Sequence, residues 1–193
     1  MRRPAPQRYC QYGYTRVVIM LGLKRGIVKL VPHQSQWRDE FEKEKKHLLE
    51  ILKIDISIEH VGSTAIGDLD AKPIIDIILG LTSFTNPKSV YKILRENGYE
   101  DKGEEVEGEY LFVKGTELKR THHLHIIEKD SDIWNNYLLF RDYLMQNKNA
   151  RDEYNLLKQA LAKKYPTNRE EYTNGKAEFI NRVLSGDFTS YEE

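Results

Sequence analysis

The chain has one cysteine, Cys10, so it can form no internal disulfide framework and no cysteine-based zinc site. That composition suits a reducing cytoplasm. Net charge is absent too: 30 basic residues are balanced by 30 acidic ones, which removes the bulk field that would draw the protein to nucleic acid or an anionic membrane. Long apolar runs are missing, because Lys or Asp interrupts the longest candidates before they reach the length of a membrane span. There is no P-loop, no dinucleotide-binding glycine pattern and no G-x-S-x-G elbow, which excludes those phosphate and serine-nucleophile sites. No repeat is evident, and 193 residues suffice for one domain with a sizeable core.

Residues 1–26 are basic, aromatic and rich in turn formers, with an apolar stretch, Val17 to Leu23, that is short for a secretory signal and has no small-residue cleavage pattern. They are expected to be an N-terminal extension, disordered or a start-site artefact with translation beginning at Met20. A domain over 27–185 and a tail over 186–193 follow. Ile27 to Val31 reads as a short strand stopped by Pro32. Gln34 to Lys53 reads as a helix, with Trp37, Phe41, Leu48, Leu49 and Leu52 on its apolar stripe, Glu42 paired with Lys46, and the charge run from Glu42 to Lys46 on a solvated face.

Strands are expected over Ile54 to Val61 and Lys72 to Leu81, the second apolar enough to be buried on both faces. Asn86-Pro87 starts a helix and Gly98 stops it. Lys102 to Glu109 reads as a mobile loop or hairpin turn, and Glu109 to Lys114 and Arg120 to Glu128 as antiparallel strands. Helices follow over Ile133 to Gln146 and Arg151 to Lys164, then a last one with Thr167 and Glu170 as capping box, reaching Leu184. The fold class is α+β, a mixed sheet flanked by helices with a helical C-terminal subregion.

The chemistry concentrates in His60-Val61-Gly62-Ser63-Thr64 and Lys72-Pro73-Ile74-Ile75-Asp76-Ile77. Gly62 lets the backbone approach a ligand, and Ser63 and Thr64 supply hydroxyls beside N–H groups that attract an anion. Asp76 lies in an apolar strand, where an ionised carboxylate is costly unless a metal or donor compensates it. His123 and His125, two apart on a strand, project to one face and are candidate metal ligands beside Asp76; without a metal, one would bond Asp76 and the other a loop carbonyl. Lys72 is placed to meet a phosphate, or to pair with Asp68 or Asp70. Arg141 points at the pocket's anion or clamps Asp142, Glu153 or a helix end. Lys158, Tyr172 and Lys176 form an anion-binding rim or cover apolar surface. His60, at a strand end, is a further metal-ligand candidate, although a lone histidine before a turn is more often structural.

The run HVGSTAIGDLDAKPIIDIILG, with Thr121-His122-His123-Leu124-His125, Phe140-Arg141-Asp142-Tyr143-Leu144, Tyr154 to Lys158 as Y-x-x-x-K and YTNGKAEFI from Tyr172, resembles the GrpB family of the nucleotidyltransferase superfamily, over roughly residues 27 to 184. The resemblance implies a DNA polymerase beta-like fold. It also implies that Gly62 and Ser63 hold phosphates, that Asp76 is the first metal-binding carboxylate, and that the motif Lys72 touches ligand. Here the chain departs from the superfamily: the second carboxylate, expected two residues on, is Ile78. Glu107 or Glu109 would have to reach Asp76 to restore the pair.

The function implied is binding of a nucleotide or other phosphorylated small molecule with a divalent metal (Mg, Mn or Zn) and transfer of a nucleotidyl group, with Asp76 and Lys72 as catalytic residues. Gly62, Ser63, Thr64, Arg141 and Lys176 would hold phosphate, and Asp76, His123 and His125 the metal. One alternative is a non-catalytic nucleotide or coenzyme A-related sensor, since some family members resemble domains fused to dephospho-coenzyme A kinase. A second is an RNA-modifying or toxin–antitoxin component, against which the balanced charge argues.

Overall fold

The computed structural model describes residues 19–82 and 87–187. Helix α1 (Gln36–Leu52) comes first and buries Trp37, Phe41, Leu48 and Leu52 along one face. Each such burial contributes about 1.5–3 kcal/mol relative to exposure. Leu49, expected on that stripe, is 45% exposed. Within the charge run, Lys46 meets Glu50 at 3.9 Å instead of Glu42. Glu44 leaves the solvated face and is buried, because Lys114 and Tyr99 reach it from beneath.

Strands β1 (Ile56–Val61), β2 (Ile75–Leu81), β3 (Tyr99–Val106), β4 (Glu109–Thr116) and β5 (Lys119–Glu128) make a mixed five-stranded sheet ordered β1-β2-β5-β4-β3. The β2–β5 pair is parallel, the others antiparallel. Helix α2 (Lys88–Glu96) joins β2 to β3 and buries Val90 and Leu94. The expected starter Asn86 lies outside the described residues. Because strand side chains alternate, β2 sends Ile75, Ile77 and Leu79 into the main core with α1 and α2, and Ile78 into a smaller cluster with Val61, Ile127 and Trp134. Ile78, on the same face as Asp76, is therefore fully buried packing.

On that second face lie helices α3 (Asp132–Gln146), α4 (Lys148–Lys164), α5 (Arg169–Asn174) and α6 (Ala177–Ser185). Ser131, Asn147 and Asn168 cap α3, α4 and α5 by accepting from Trp134, Ala150 and Glu171 N–H groups. Ile66, Leu69, Leu144, Ala150, Tyr154, Phe179 and Val183 form their core. No described helix is long and apolar enough to cross a membrane.

Three further expectations need correction. Ile27 to Val31 forms no strand, only an isolated bridge from Val31 to Ala71, because its neighbours are the loop before β2 and Pro166. The segment from Lys102 is strand β3 as far as Val106; bulges around Gly103 and before Val106 absorb its irregularity, so the turn contracts to Glu107-Gly108. The last helix is capped by Asn168 instead of Thr167 and divides into α5 and α6 at Gly175-Lys176. A Cβ at Gly175 would stand 2.5 Å from Leu161 Cδ2, so α4 presses on the break. Of the N-terminal segment, residues 19–26 lie against the sheet, with Gly22 N–H on Pro73 O and Leu23 bridging Arg120.

Candidate functional site

Strand β1 ends at Gly62, whose φ of 70° and ψ of −174° turn the chain into a 3-10 turn, Ser63–Ala65. The parallel register sets Asp76 of β2 beside His123 of β5. Their side chains meet: the Asp76 carboxylate accepts from His123 Nδ1 at 2.9 Å. His125, two residues on, is on the same face, and the ligand atoms of Asp76, His123 and His125 all lie within 4.8 Å of one another. His123 is buried and its Nε2 has no hydrogen-bond partner among the described residues. Burial alone would raise the Asp76 pKa, but the His123 hydrogen bond, with the charges of His123, His125 and Lys72, holds it far below the usual carboxylate range. Burial lowers that of His123, against the pull of Asp76.

Glu109 does not reach Asp76 directly; it stands behind His125, with Oε1 2.6 Å from Nδ1, and accepts from Tyr137 Oη at 2.9 Å. A second carboxylate is thus present one imidazole removed. This arrangement fixes the ring and its tautomer, as an outer carboxylate does for a metal-bound histidine.

The rest of the cavity, about 290 Å³, is rimmed by cations. Lys72 Nζ and Lys176 Nζ lie 5.4 and 4.8 Å from the Tyr172 ring centre. Neither they nor Arg169 has a carboxylate within 4.0 Å among the described residues; Lys72 does not pair with Asp68 or Asp70. Burial, then the charges of Lys176 and Arg169, push the Lys72 pKa down to about 8. Lys176 is lowered mainly by burial. Lys158, 1% exposed, donates to Ser63 Oγ at 3.1 Å and to the Asp70 carbonyl. Burial and the Lys176 charge push it down to about 7.

Of the residues expected at the site, Gly62, Ser63, Thr64, Lys72, Asp76, His123, His125 and Lys176 line this cavity. Arg141 does not. Its guanidinium is held by Glu59 at 2.9 Å, Asp142 at 2.7 Å and the His60 carbonyl at 3.0 Å, beside a different cavity. Thr64 touches both cavities, and its Oγ1 lies 3.0 Å from His60 Nε2. His60 stacks on Phe41 at 4.7 Å, and burial pushes its pKa down to about 4, in keeping with a structural role. Arg169 also lines the cavity, and no local motif in the sequence marks it. Carboxylate, imidazole and cations without a direct ion pair together can hold a divalent ion and a polyanion.

The family model for the GrpB protein matches residues 27–185. The glutamate-rich protein GrpB of Alkalihalophilus pseudofirmus is 41% identical over 175 residues, covering 86% of this chain and 99% of that protein. YqkA of Bacillus subtilis is 35% identical over 190 residues, covering 92% of this chain but only 55% of that one. Among solved structures, the conserved protein GrpB from Enterococcus faecalis superimposes with a TM-score of 0.75 at 33% identity, covering 86% of this chain and all of that one. The Cid1 poly(U) polymerase with Mg 3'-dATP bound matches with a TM-score of 0.50 at 15% identity, covering 69% of this chain and 43% of that one. That likeness is one of fold. On the family-model match and the 41% identity to a full-length relative, the chain belongs to the GrpB family.

Proposed function

We propose that this protein binds a nucleoside triphosphate or another phosphorylated small molecule, together with a divalent metal ion, in the Asp76 cavity and transfers its nucleotidyl group to an acceptor hydroxyl or amine. The observation that carries the reading is the meeting of Asp76, His123 and His125 with Lys72, Lys176 and Arg169, cations that make no ion pair within 4.0 Å with a described carboxylate and have only the longer-range charge of Asp76 to offset them. A polyanion supplies the missing negative charge.

The donor set fits a divalent ion that accepts nitrogen as well as oxygen, and the Glu109-braced His125 supports ligation. When bound, the ion would offset phosphate charge and polarise a phosphoryl oxygen. Ser63 and the Gly62 turn hold phosphate oxygens, while Lys72 and Lys176 steady the charge that develops on the leaving group. The acceptor oxygen or nitrogen bonds to the α-phosphorus, the bond from that phosphorus to its bridging oxygen breaks, pyrophosphate departs, and the acceptor proton passes to water. Arg141 would act indirectly, by fixing the end of β1 before Gly62. The single cysteine supports a cytoplasmic setting.

The buried Ile78 favours a second reading, a sensor that binds the same ligand without turnover. Calorimetric titration with ATP and Mn²⁺, for wild type and Asp76→Ala, tests the binding claim. Metal-dependent binding that disappears in the variant is expected; equal binding by both would overturn it. Pyrophosphate release then separates enzyme from sensor.

A further inference from the structure

Beside the Asp76 cavity lies a second cleft of about 370 Å³. The two share Gly62, Tyr137, Phe140, Tyr154 and Ile180, so a molecule lying in one touches the wall of the other. The outer walls of the cleft are apolar: Val106 from the end of β3, Ile133 from α3 and Leu184 from α6. Among the described residues, no lysine or arginine lines it. Its one charged group among the described residues, Glu109, is negative and already engaged by His125 and Tyr137.

The contrast between the neighbouring spaces is chemical. The Asp76 cavity gathers cations, whereas this cleft offers apolar surface, aromatic rings and a carboxylate. A nucleic-acid strand threaded here would set phosphates against Glu109 with no cation to offset them. An aliphatic or aromatic body would remove that surface from water at about 25 cal/mol per Å². We infer that the cleft is the acceptor subsite, and that the acceptor is an uncharged small molecule with an apolar body, presenting its hydroxyl or amine at the wall shared with the Asp76 cavity. The inference rests on the transfer reading given above.

The test uses 3-phenylpropan-1-ol as the probe of the cleft, followed by saturation-transfer NMR, and inorganic tripolyphosphate with Mn²⁺ as the probe of the cavity, followed by calorimetry. In Leu184→Trp the indole fills the cleft; in Val106→Glu an exposed position, 57% accessible, adds charge at its mouth without disturbing the core. Phenylpropanol affinity is expected to fall at least fivefold in Leu184→Trp and measurably in Val106→Glu, while tripolyphosphate affinity changes less than twofold. Unchanged phenylpropanol binding in both variants would overturn the inference. So would binding of a hexauridylate RNA to wild type that is lost in Leu184→Trp, since the occupant would then be a strand. Failure of tripolyphosphate to bind wild type would instead overturn the anion-cavity reading and the acceptor role with it, even if phenylpropanol binding held.

Discussion

The Asp76 carboxylate lies directly over the Gly62 backbone: a Cβ on residue 62 would stand 2.5 Å from Asp76 Oδ2 and 3.0 Å from Asp76 Cβ. The backbone of residue 62, at φ 70° and ψ −174°, also sits in a region closed to residues with side chains. The turn and the acid thus fix one another. Each is positioned by the β1–β2 register that sets Val61 opposite Asp76.

Gly62→Ala should therefore lower stability by about 1–3 kcal/mol from backbone strain alone, and should weaken Mn²⁺ binding by displacing the carboxylate. Gly67→Ala, where an added Cβ meets nothing within 4 Å, serves as the neutral control. Urea unfolding of both variants decides the matter, and coincident midpoints would contradict the steric argument.

Glu109→Gln keeps the shape of the side chain but leaves His125 Nδ1 with a weaker acceptor. Because an outer carboxylate orients the ring and raises its basicity, Mn²⁺ or Zn²⁺ affinity should fall about 10–100-fold. The thermal midpoint without metal should move little. Were metal affinity unchanged, His125 would not be a ligand.

Lys158 makes a pH prediction. Its ordinary pKa of 10.5 drops to about 7 in the fold, through burial and then the Lys176 charge. Between those values the unfolded chain holds a proton that the folded one lacks, so this group makes stability rise with pH from about 7 toward 10, at up to about 1.4 kcal/mol per unit. Below that window both states are protonated and the full cost of the buried charge remains. The stability of wild type relative to Lys158→Met should thus improve between pH 6 and pH 10 in urea titrations. A constant difference would mean that the ammonium is not desolvated.

What the sequence discloses and what it withholds follow from the range of the interactions. Alternation in β5 places His123 and His125 on one face, and the family-like motif ties Asp76 to Gly62 and Ser63, whereas the parallel β2–β5 register that brings Asp76 beside His123 comes from the structure. The Glu109–His125 contact is beyond that reading, because it depends on the β4–β5 register pairing Leu111 with His125, which puts Glu109 diagonally alongside on the same face. Arg141 was legible only as a choice of partners, and the structure selects Asp142 and adds Glu59, a residue 82 positions away. The break between α5 and α6 is equally remote in origin, arising from Leu161 of α4 against Gly175. Glu44 looked solvated because its neighbours in the chain are charged, whereas its burial is set by strands far along the sequence.

That buried carboxylate supplies a test of the sheet's other face. Lys114 Nζ donates to both Glu44 oxygens, at 2.7 and 2.9 Å, and Tyr99 Oη donates to one of them. Burial opposes ionisation of Glu44, yet the Lys114 and Tyr99 hydrogen bonds overcome it and lower its pKa. A carboxylate depressed in this way stabilises the fold above its unfolded pKa and loses that contribution as pH falls through the folded value. Removing one partner strands the other, so Glu44→Leu or Lys114→Met alone should cost about 3–5 kcal/mol. The double variant leaves neither charge unpaired and should cost clearly less than the sum. Chemical denaturation at pH 7 measures all four corners of the cycle; additive losses would mean that the pair is too well solvated to couple α1 to β4, and the penalty of Glu44→Leu should shrink at pH 3 if its charge is what matters.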